Sequence, residues 1–305
     1  MRKIAGIAVT TLVFGLVATL ASAAPRVVAT VKTVGFAPCA GVGARGREWV
    51  TDYTSARIES IDATTNRLSG KPIAVGVHPC GLVYGANSLW VNAFGTNSVE
   101  RVNPRTRKLV KRIRVGGSPY DVAVGYGSVW TTNNFDGTVS RIDPRTNRVS
   151  KVIRTGGSPA GLSVTAGSVW VGSNSDSAVR RIDPATNRVT TFEVGHMNPA
   201  WFSANATELW VASNVDDVVL HLDPQTGKVL GTVHVGHTPL DGTIAADGSV
   251  WVPNMGDGTV SRVDPSRGVV TDTVPVGAKP FVLNSAFGSV WAPSYGGRDV
   301  RRISG

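Results

Sequence analysis

Hydrophobic and polar positions alternate in short runs along nearly the whole chain, and the runs are separated by Gly, Asn, Asp and Pro. The stretch SPYDVAVGYGSVWTTNNFDGTVSRIDPRTNRVSKVIRTGG, from Ser118 to Gly157, shows the pattern. Four strands are read in it: Tyr120 to Val124, Ser128 to Thr132, Gly137 to Ile142 and Arg148 to Arg154. Period-two alternation bounded by turn residues is the signature of half-buried strands joined as hairpins. The turn between the third and fourth strands is spelled Asp143-Pro144-Arg145-Thr146-Asn147 and returns at Asp183-Pro184, Asp223-Pro224 and Asp264-Pro265, with Asn103-Pro104 and Asp62-Ala63 as variants. An Asp or Asn side chain accepts from backbone two residues on while Pro fixes φ, so the recurring acid is turn chemistry rather than a catalytic group.

The unit repeats. Trp49, Trp90, Trp130, Trp170, Trp210, Trp251 and Trp291 follow one another at intervals of 40 or 41 residues, and of the eight tryptophans only Trp201 lies off this grid. Four antiparallel strands in about forty residues make a propeller blade, and seven copies close a ring without free sheet edges. The predicted fold is therefore an all-β, seven-bladed β-propeller. Asp299 to Ile303 reads as the third strand of blade 7, and Arg26 to Val34 resembles the fourth strand Arg148 to Thr155. The N-terminal strand is thus expected to complete the last blade. Seven tryptophans at one equivalent position are packing groups wedged between blades.

The first residues stand outside the repeat. Arg2 and Lys3 precede an uncharged apolar run from Ile4 to Leu20, then Ala21-Ser22-Ala23. That order predicts a secretory signal peptide over 1–23, cleaved near Ala23, and one propeller domain over 24–305 in the periplasm or outside the cell. Nothing after it is apolar for long enough to span a bilayer, so an integral membrane protein is not expected, and nothing calls for more than a monomer. The whole chain carries a formal charge of +10, about +8 without Arg2 and Lys3. Such a surplus admits a polyanion or nucleic acid as partner. Its densest piece is Arg105 to Arg114, with Arg107, Lys108, Lys111 and Arg112 between.

The text VWTTNNFDGTVSRIDPRTNRVSKVIRTGGSP from Val129 to Pro159, repeated as VWVGSNSDSAVRRIDPATNR from Val169 to Arg188, resembles the YVTN-type repeats of bacterial secreted and surface propellers. The chain is also similar to the virginiamycin B lyase group, which shares the Gly-x-x-Trp second strand. That resemblance implies a metal-assisted lyase using histidines just after a proline at the start of inner strands. Cys39, Cys80, Tyr120, Ala160, Ala200, Leu240 and Phe281 hold those places here. None is histidine, so the lyase's catalytic residues are not carried over.

Candidate chemistry collects where the outer strand of one blade passes to the inner strand of the next, because seven such loops converge on one mouth of the channel. His78, His196, Asn198, His237 and Lys279 fall in these loops, and Tyr120, Asp121, Trp201, Asp241 and Phe281 just beyond their prolines. His78, Tyr120, Asp121, Trp201, His237, Asp241 and Lys279 are the candidate ligand-binding set. Asp121 and Asp241, in blades 3 and 6, are expected to face each other across the channel without pairing. No catalytic residue and no cofactor is assigned. A divalent metal held by His78, His237, Asp121 and Asp241 is an alternative with no local ligand spacing behind it. His221 and His234 are read as outer-strand surface residues. Cys39 and Cys80, the two cysteines, occupy matched positions in blades 1 and 2 and are expected to form a disulfide. The sequence thus favours an envelope binding or scaffold module with an unnamed ligand or protein partner. A metal-dependent lyase or hydrolase at the mouth and a polyanion-binding basic rim are the alternatives.

Overall fold

The computed structural model describes residues 24–304. The expected signal peptide lies outside them. Seven antiparallel sheets, each built mainly from consecutive strands, form the blades of a propeller. In blade 3 the strands are Pro119–Gly125, Ser128–Asn133, Thr138–Asp143 and Arg148–Arg154, counted outward from the channel, each within a residue or two of its sequence reading. Blade 7 has Asn284–Ala286, Ser289–Pro293 and Asp299–Ser304, and its fourth strand is Val27–Lys32 from the other end of the chain. Val31 pairs with Val300 and Lys32 with Asp299 in that latch. The Lys32 ammonium lies 3.0 Å from the Asp299 carboxylate. Buried Glu59 of blade 1 accepts from the amides of Val34 and Gly35, each at 3.0 Å, tying the latch to the first blade as well.

Three blades depart from the four regular strands. The outer strand of blade 1 is broken into Arg67–Leu68 and Ile73–Ala74. Between them Gly70 takes φ +72° and Pro72 has no amide to donate to the ladder. The inner strands of blades 6 and 7 shrink to Thr243–Ile244 and Asn284–Ala286. Ahead of them the two segments bridge each other in parallel, Asp241 against Val282, and the Leu283 amide donates to the Asp241 carbonyl at 2.9 Å. Backbone hydrogen bonding here crosses between two blades.

The gridded tryptophans are 0–2% exposed and pack against the following blade: Trp130 shares a cluster with Leu162 and Val169, and Trp291 with Val50 and Ile61. Above most of these indoles sits a guanidinium. Arg101 lies over Trp90, Arg141 over Trp130, Arg181 over Trp170, Arg262 over Trp251 and Arg302 over Trp291, at 4.7–5.8 Å. Each comes from the third strand of its own blade, while Trp49 is covered by Arg107, reaching back from blade 2 at 4.9 Å. His221 replaces arginine in blade 5, stacked on Trp210 at 4.4 Å and within 2.9 Å of Glu208. It sits on the third strand, Val218–Leu222, rather than the outer one, so the surface reading of this histidine is corrected. His234 is exposed on an outer strand as expected.

Four of these arginines, Arg101, Arg141, Arg181 and Arg302, also join their blade to the next, whereas Arg262 pairs with Asp247 and Asp272 of its own blade. Arg141 donates to the Pro184 carbonyl at 2.6 Å and Asn187 Oδ1 at 3.0 Å, both in the Asp-Pro turn of blade 4. Arg101 makes the equivalent bonds to Pro144 and Asn147, and Arg302 closes the circle onto Ala63 and Asn66 of blade 1. The turns are built for this contact. Asp143 Oδ1 accepts the Arg145 amide at 2.7 Å, and Asn147 takes the left-handed φ of +56° that asparagine tolerates.

Candidate functional site

The channel mouth is set by a bulge and a turn that recur around the ring. Six of the seven residues before the mouth prolines have positive φ: Ala37, His78, Ser118, Asn198, Thr238 and Lys279, between 52° and 63°. That conformation turns the chain sharply into the channel. The inner ladder then slips just after Pro38, Pro79, Pro119, Pro159 and Pro199. Such bulges re-aim side chains. In blades 1 to 4 pairing resumes three residues on, but in blade 5 it resumes sooner, at Trp201 against Ala212.

A second position completes the mouth. The fourth residue after each gridded tryptophan is Tyr53, Phe94, Asn134, Asn174, Asn214, Met255 and Tyr295 in turn. In six blades its amide donates to the residue before the mouth proline, as Tyr53 to Ala37 at 3.1 Å and Tyr295 to Lys279 at 3.0 Å. The ring of loops therefore holds these side chains at the rim. Blades 6, 7, 1 and 2 present large apolar groups there, and blades 3 to 5 present asparagine.

Tyr53, Phe94, Met255 and Tyr295, with Tyr120, Trp201 and Phe281 from the residues just after the mouth prolines, line a cavity of about 270 Å³, which also touches the Cys39–Cys80 wall, Asn92, Pro119 and Lys279. Its rings contact one another in a chain. Phe94 meets Tyr120 at 6.0 Å, Tyr120 meets Trp201 at 5.6 Å, Trp201 meets Phe281 at 5.9 Å, Phe281 meets Tyr295 at 5.1 Å and Tyr295 meets Tyr53 at 5.5 Å. His78 extends the chain outward, stacked on Tyr53 at 4.5 Å. Burial pushes the phenols of Tyr120 and Tyr295 above their ordinary range, and their proximity to Tyr53 adds to it. The Tyr120 and Tyr295 phenols therefore remain neutral donors and acceptors at physiological pH. Cys39 and Cys80 are joined as a disulfide with their Cα atoms 5.2 Å apart, tying the inner strands of blades 1 and 2.

Asp121 and Asp241 sit on the innermost segments of blades 3 and 6, partly open to the channel. Asp121 Oδ1 accepts the Val122 amide and Oδ2 the Leu162 amide, each at 2.7 Å, so its carboxylate staples blade 3 to blade 4. Burial nevertheless pushes its pKa up to about 6. Burial raises Asp241 well above the usual carboxylate range, and the charge of Asp121 adds to the effect.

His237 does not belong to the cavity. Its side chain is 75% exposed and its ring lies 2.6 Å from Asp217, a contact that holds its pKa above the ordinary value. His196 is similarly turned to Asp216 at 2.9 Å. Among the described residues no group of three or more His, Cys, Asp and Glu is placed to hold a metal ion, so His78, His237, Asp121 and Asp241 do not converge. The basic segment is likewise divided. Arg107 covers Trp49 and donates to the Lys71 carbonyl, and Arg112 is paired with buried Glu100 at 2.5 Å. Arg105, Lys108, Lys111 and Arg114 remain exposed. Two of the six charges are thus committed to packing or pairing within the fold.

The molecule is a seven-bladed β-propeller of the repeat class, with an aromatic cup at one channel mouth. The family model that matches, over residues 57–196, is described as a repeat of unknown function, DUF6923. No curated protein matches the sequence significantly. Among solved structures, a catalytically inactive virginiamycin B lyase from Staphylococcus aureus with quinupristin is similar at TM-score 0.79 and 16% identity, over 90% of this chain and 98% of that one. A streptogramin B lyase has TM-score 0.78 and 14% identity, over 88% and 94%. The WD40 propeller domain of Doa1 has TM-score 0.79 and 16% identity, over 92% and 97%. Identities this low carry the fold and no more, and the same architecture serves a lyase and a WD40 protein.

Proposed function

We propose that this chain is an exported binding module that captures a small ligand, or one side chain of a larger partner, in the aromatic cup. The observation that carries the reading is the unbroken chain of six rings, Phe94, Tyr120, Trp201, Phe281, Tyr295 and Tyr53, around one cavity. A propeller mouth left without function has no reason to gather large apolar groups where three other blades carry asparagine, because the parts of these half-buried rings still open to the channel gain by burial against a ligand. Export is supported by the basic, apolar and Ala-x-Ala order of the first residues and by the Cys39–Cys80 disulfide. Binding rather than lysis is favoured because the cup walls carry no histidine at the residues following the mouth prolines.

A fragment screen by ligand-observed NMR, using small aromatic and amphiphilic compounds, tests the reading. Wild-type protein should bind several of them, and a Trp201→Ala, Phe281→Ala double variant that retains its fold should lose them. Equal binding by both proteins would place the site elsewhere.

A further inference from the structure

The seam between blades 1 and 2 departs from the rest of the ring on the face opposite the mouth, where first strands turn into second and third into fourth. Eleven residues after its gridded tryptophan every other blade carries Arg101, Arg141, Arg181, His221, Arg262 or Arg302, but blade 1 carries Ser60. Arginines appear instead where other blades have none. Arg45 stands where blades 2 and 4 have Ala86 and Ala166, Arg47 where they have Ser88 and Ser168, and Arg107 where blades 3 and 4 have Asn147 and Asn187. The Asn103-Pro104 turn brings Arg105 to the same place, and Arg45, Arg47, Pro104 and Arg105 line an open hollow of about 590 Å³. Two of the guanidiniums are fixed. Arg107 donates to Ser60 Oγ at 3.1 Å and to the Lys71 carbonyl at 2.6 Å. Arg47 Nε donates to Ser69 Oγ at 3.3 Å, and Ser60 Oγ donates to the Ser69 carbonyl at 2.6 Å, so one serine pair anchors both arginines. Arg45 and Arg105 are exposed beside them.

None of these four arginines enters an ion pair among the described residues. Asp62, the cross-strand partner of Arg47, turns its Oδ1 to the amides of Thr64 and Thr65 instead. Burial, and after it the charge of Arg47, lowers the Arg107 pKa from its ordinary value. Guanidiniums gathered without an acid repel one another, and an anion between them relieves that cost. We propose that this hollow binds a phosphate-bearing anion with at least two negative charges, held by Arg45, Arg47 and Arg105. The planar fork of arginine meets two oxygens of one phosphate at once. Three such forks around one hollow favour a multiply charged oxyanion over a single carboxylate, and the hollow is wide enough for two linked phosphate groups. The site lies on the opposite face from the aromatic cup and is independent of it.

Calorimetric titration with inorganic pyrophosphate at low ionic strength tests it. The double variant Arg45→Gln, Arg105→Gln removes the two exposed guanidiniums and leaves Arg47 and Arg107 to hold the seam. Wild-type protein should bind one pyrophosphate per chain. The double variant should bind it at least tenfold more weakly, about 1.4 kcal/mol, while its ligand-free Tm is no lower than that of the wild type. Lys151→Gln, Arg154→Gln, on the outer strand of blade 3, lowers the net charge equally and should change the affinity by less than about twofold. No binding by wild-type protein, or full affinity in Arg45→Gln, Arg105→Gln, would overturn the site. An equal loss in both double variants would overturn it as well, because the charge of the whole molecule would then account for the binding. Cosedimentation with phosphatidic acid vesicles, set against phosphatidylcholine, then identifies the source of the phosphate: vesicle binding that pyrophosphate displaces makes it a lipid headgroup, and no vesicle binding makes it a free anion.

Discussion

Arg141 is where the structure makes its sharpest energetic statement. The side chain covers Trp130 at 4.7 Å, donates to Ser128 Oγ at 2.9 Å within its own blade, and reaches the Pro184 carbonyl and Asn187 Oδ1 in the next. A guanidinium partly open to solvent, over a buried indole, contributes about 1 kcal/mol. Each hydrogen bond to a charged group adds about 1.5 kcal/mol or more when buried, and roughly half that here, because water reaches the half-buried partners when the arginine is gone. Arg141→Ala should therefore cost about 3 kcal/mol, which for a domain of this size lowers Tm by roughly 5 °C. Arg141→Lys keeps the charge but not the planar fork, and should recover no more than about half of the loss. Arg145, four residues along, is 89% exposed and makes one contact of 3.5 Å to Asp143, so Arg145→Ala is the control and should leave Tm unchanged within about 1 °C. Scanning calorimetry of the three variants decides it. An Arg141→Ala shift below about 2 °C, or one matching that of Arg145→Ala, would refute the view that third-strand arginines clamp the blades.

Other consequences are equally direct. Reducing the disulfide, or replacing Cys39 and Cys80 together with serine, releases a loop of 41 residues and should cost roughly 4 kcal/mol on chain-entropy grounds, read as a lower denaturant midpoint; an unchanged midpoint would mean the strands are held without it. Stability should respond to acid in two opposite windows. Asp121 titrates near 6 when folded against an ordinary 3.8, so the native state binds the extra proton and gains stability as pH falls from about 7 to 4. The turn aspartates Asp62, Asp143, Asp183 and Asp223 are held low chiefly by backbone amides and Asp264 chiefly by the Ser266 hydroxyl, so the stability they supply is complete above their ordinary value and is lost as pH drops below it. A plot of Tm against pH should rise and then fall, with the rise diminished in Asp121→Asn; a monotonic decline from pH 7 in the wild type would count against the raised value. Gly161→Ala would put a methyl 2.4 Å from the Ala200 carbonyl oxygen at the seam of blades 4 and 5, and should lower Tm by several degrees or prevent folding.

The repeat text determined the architecture because blade packing depends on local, periodic signals: a tryptophan every 40 or 41 residues, an Asp-Pro turn and alternating strands. It also determined the latch, since Val27–Lys32 carries the same alternation as other outer strands and can satisfy its ladder only at the open edge of blade 7. What the sequence left undecided is the meaning of residues whose partners come from other blades. The third-strand arginines Arg101, Arg141, Arg181 and Arg302 find their partners in the turn of the following blade, which no single repeat of the sequence reveals. Tyr53, Phe94, Met255 and Tyr295 were legible only as departures from asparagine four residues after the tryptophan, and their role emerges because a closed ring brings blades 6, 7, 1 and 2 around one mouth. His237 lay in the right loop, yet Asp217 of the preceding blade turned it outward. Spacing along the chain fixes which loop a residue occupies, whereas the direction of its side chain and the charge it faces belong to the closed ring, where residues forty or more positions apart compete for the same contact.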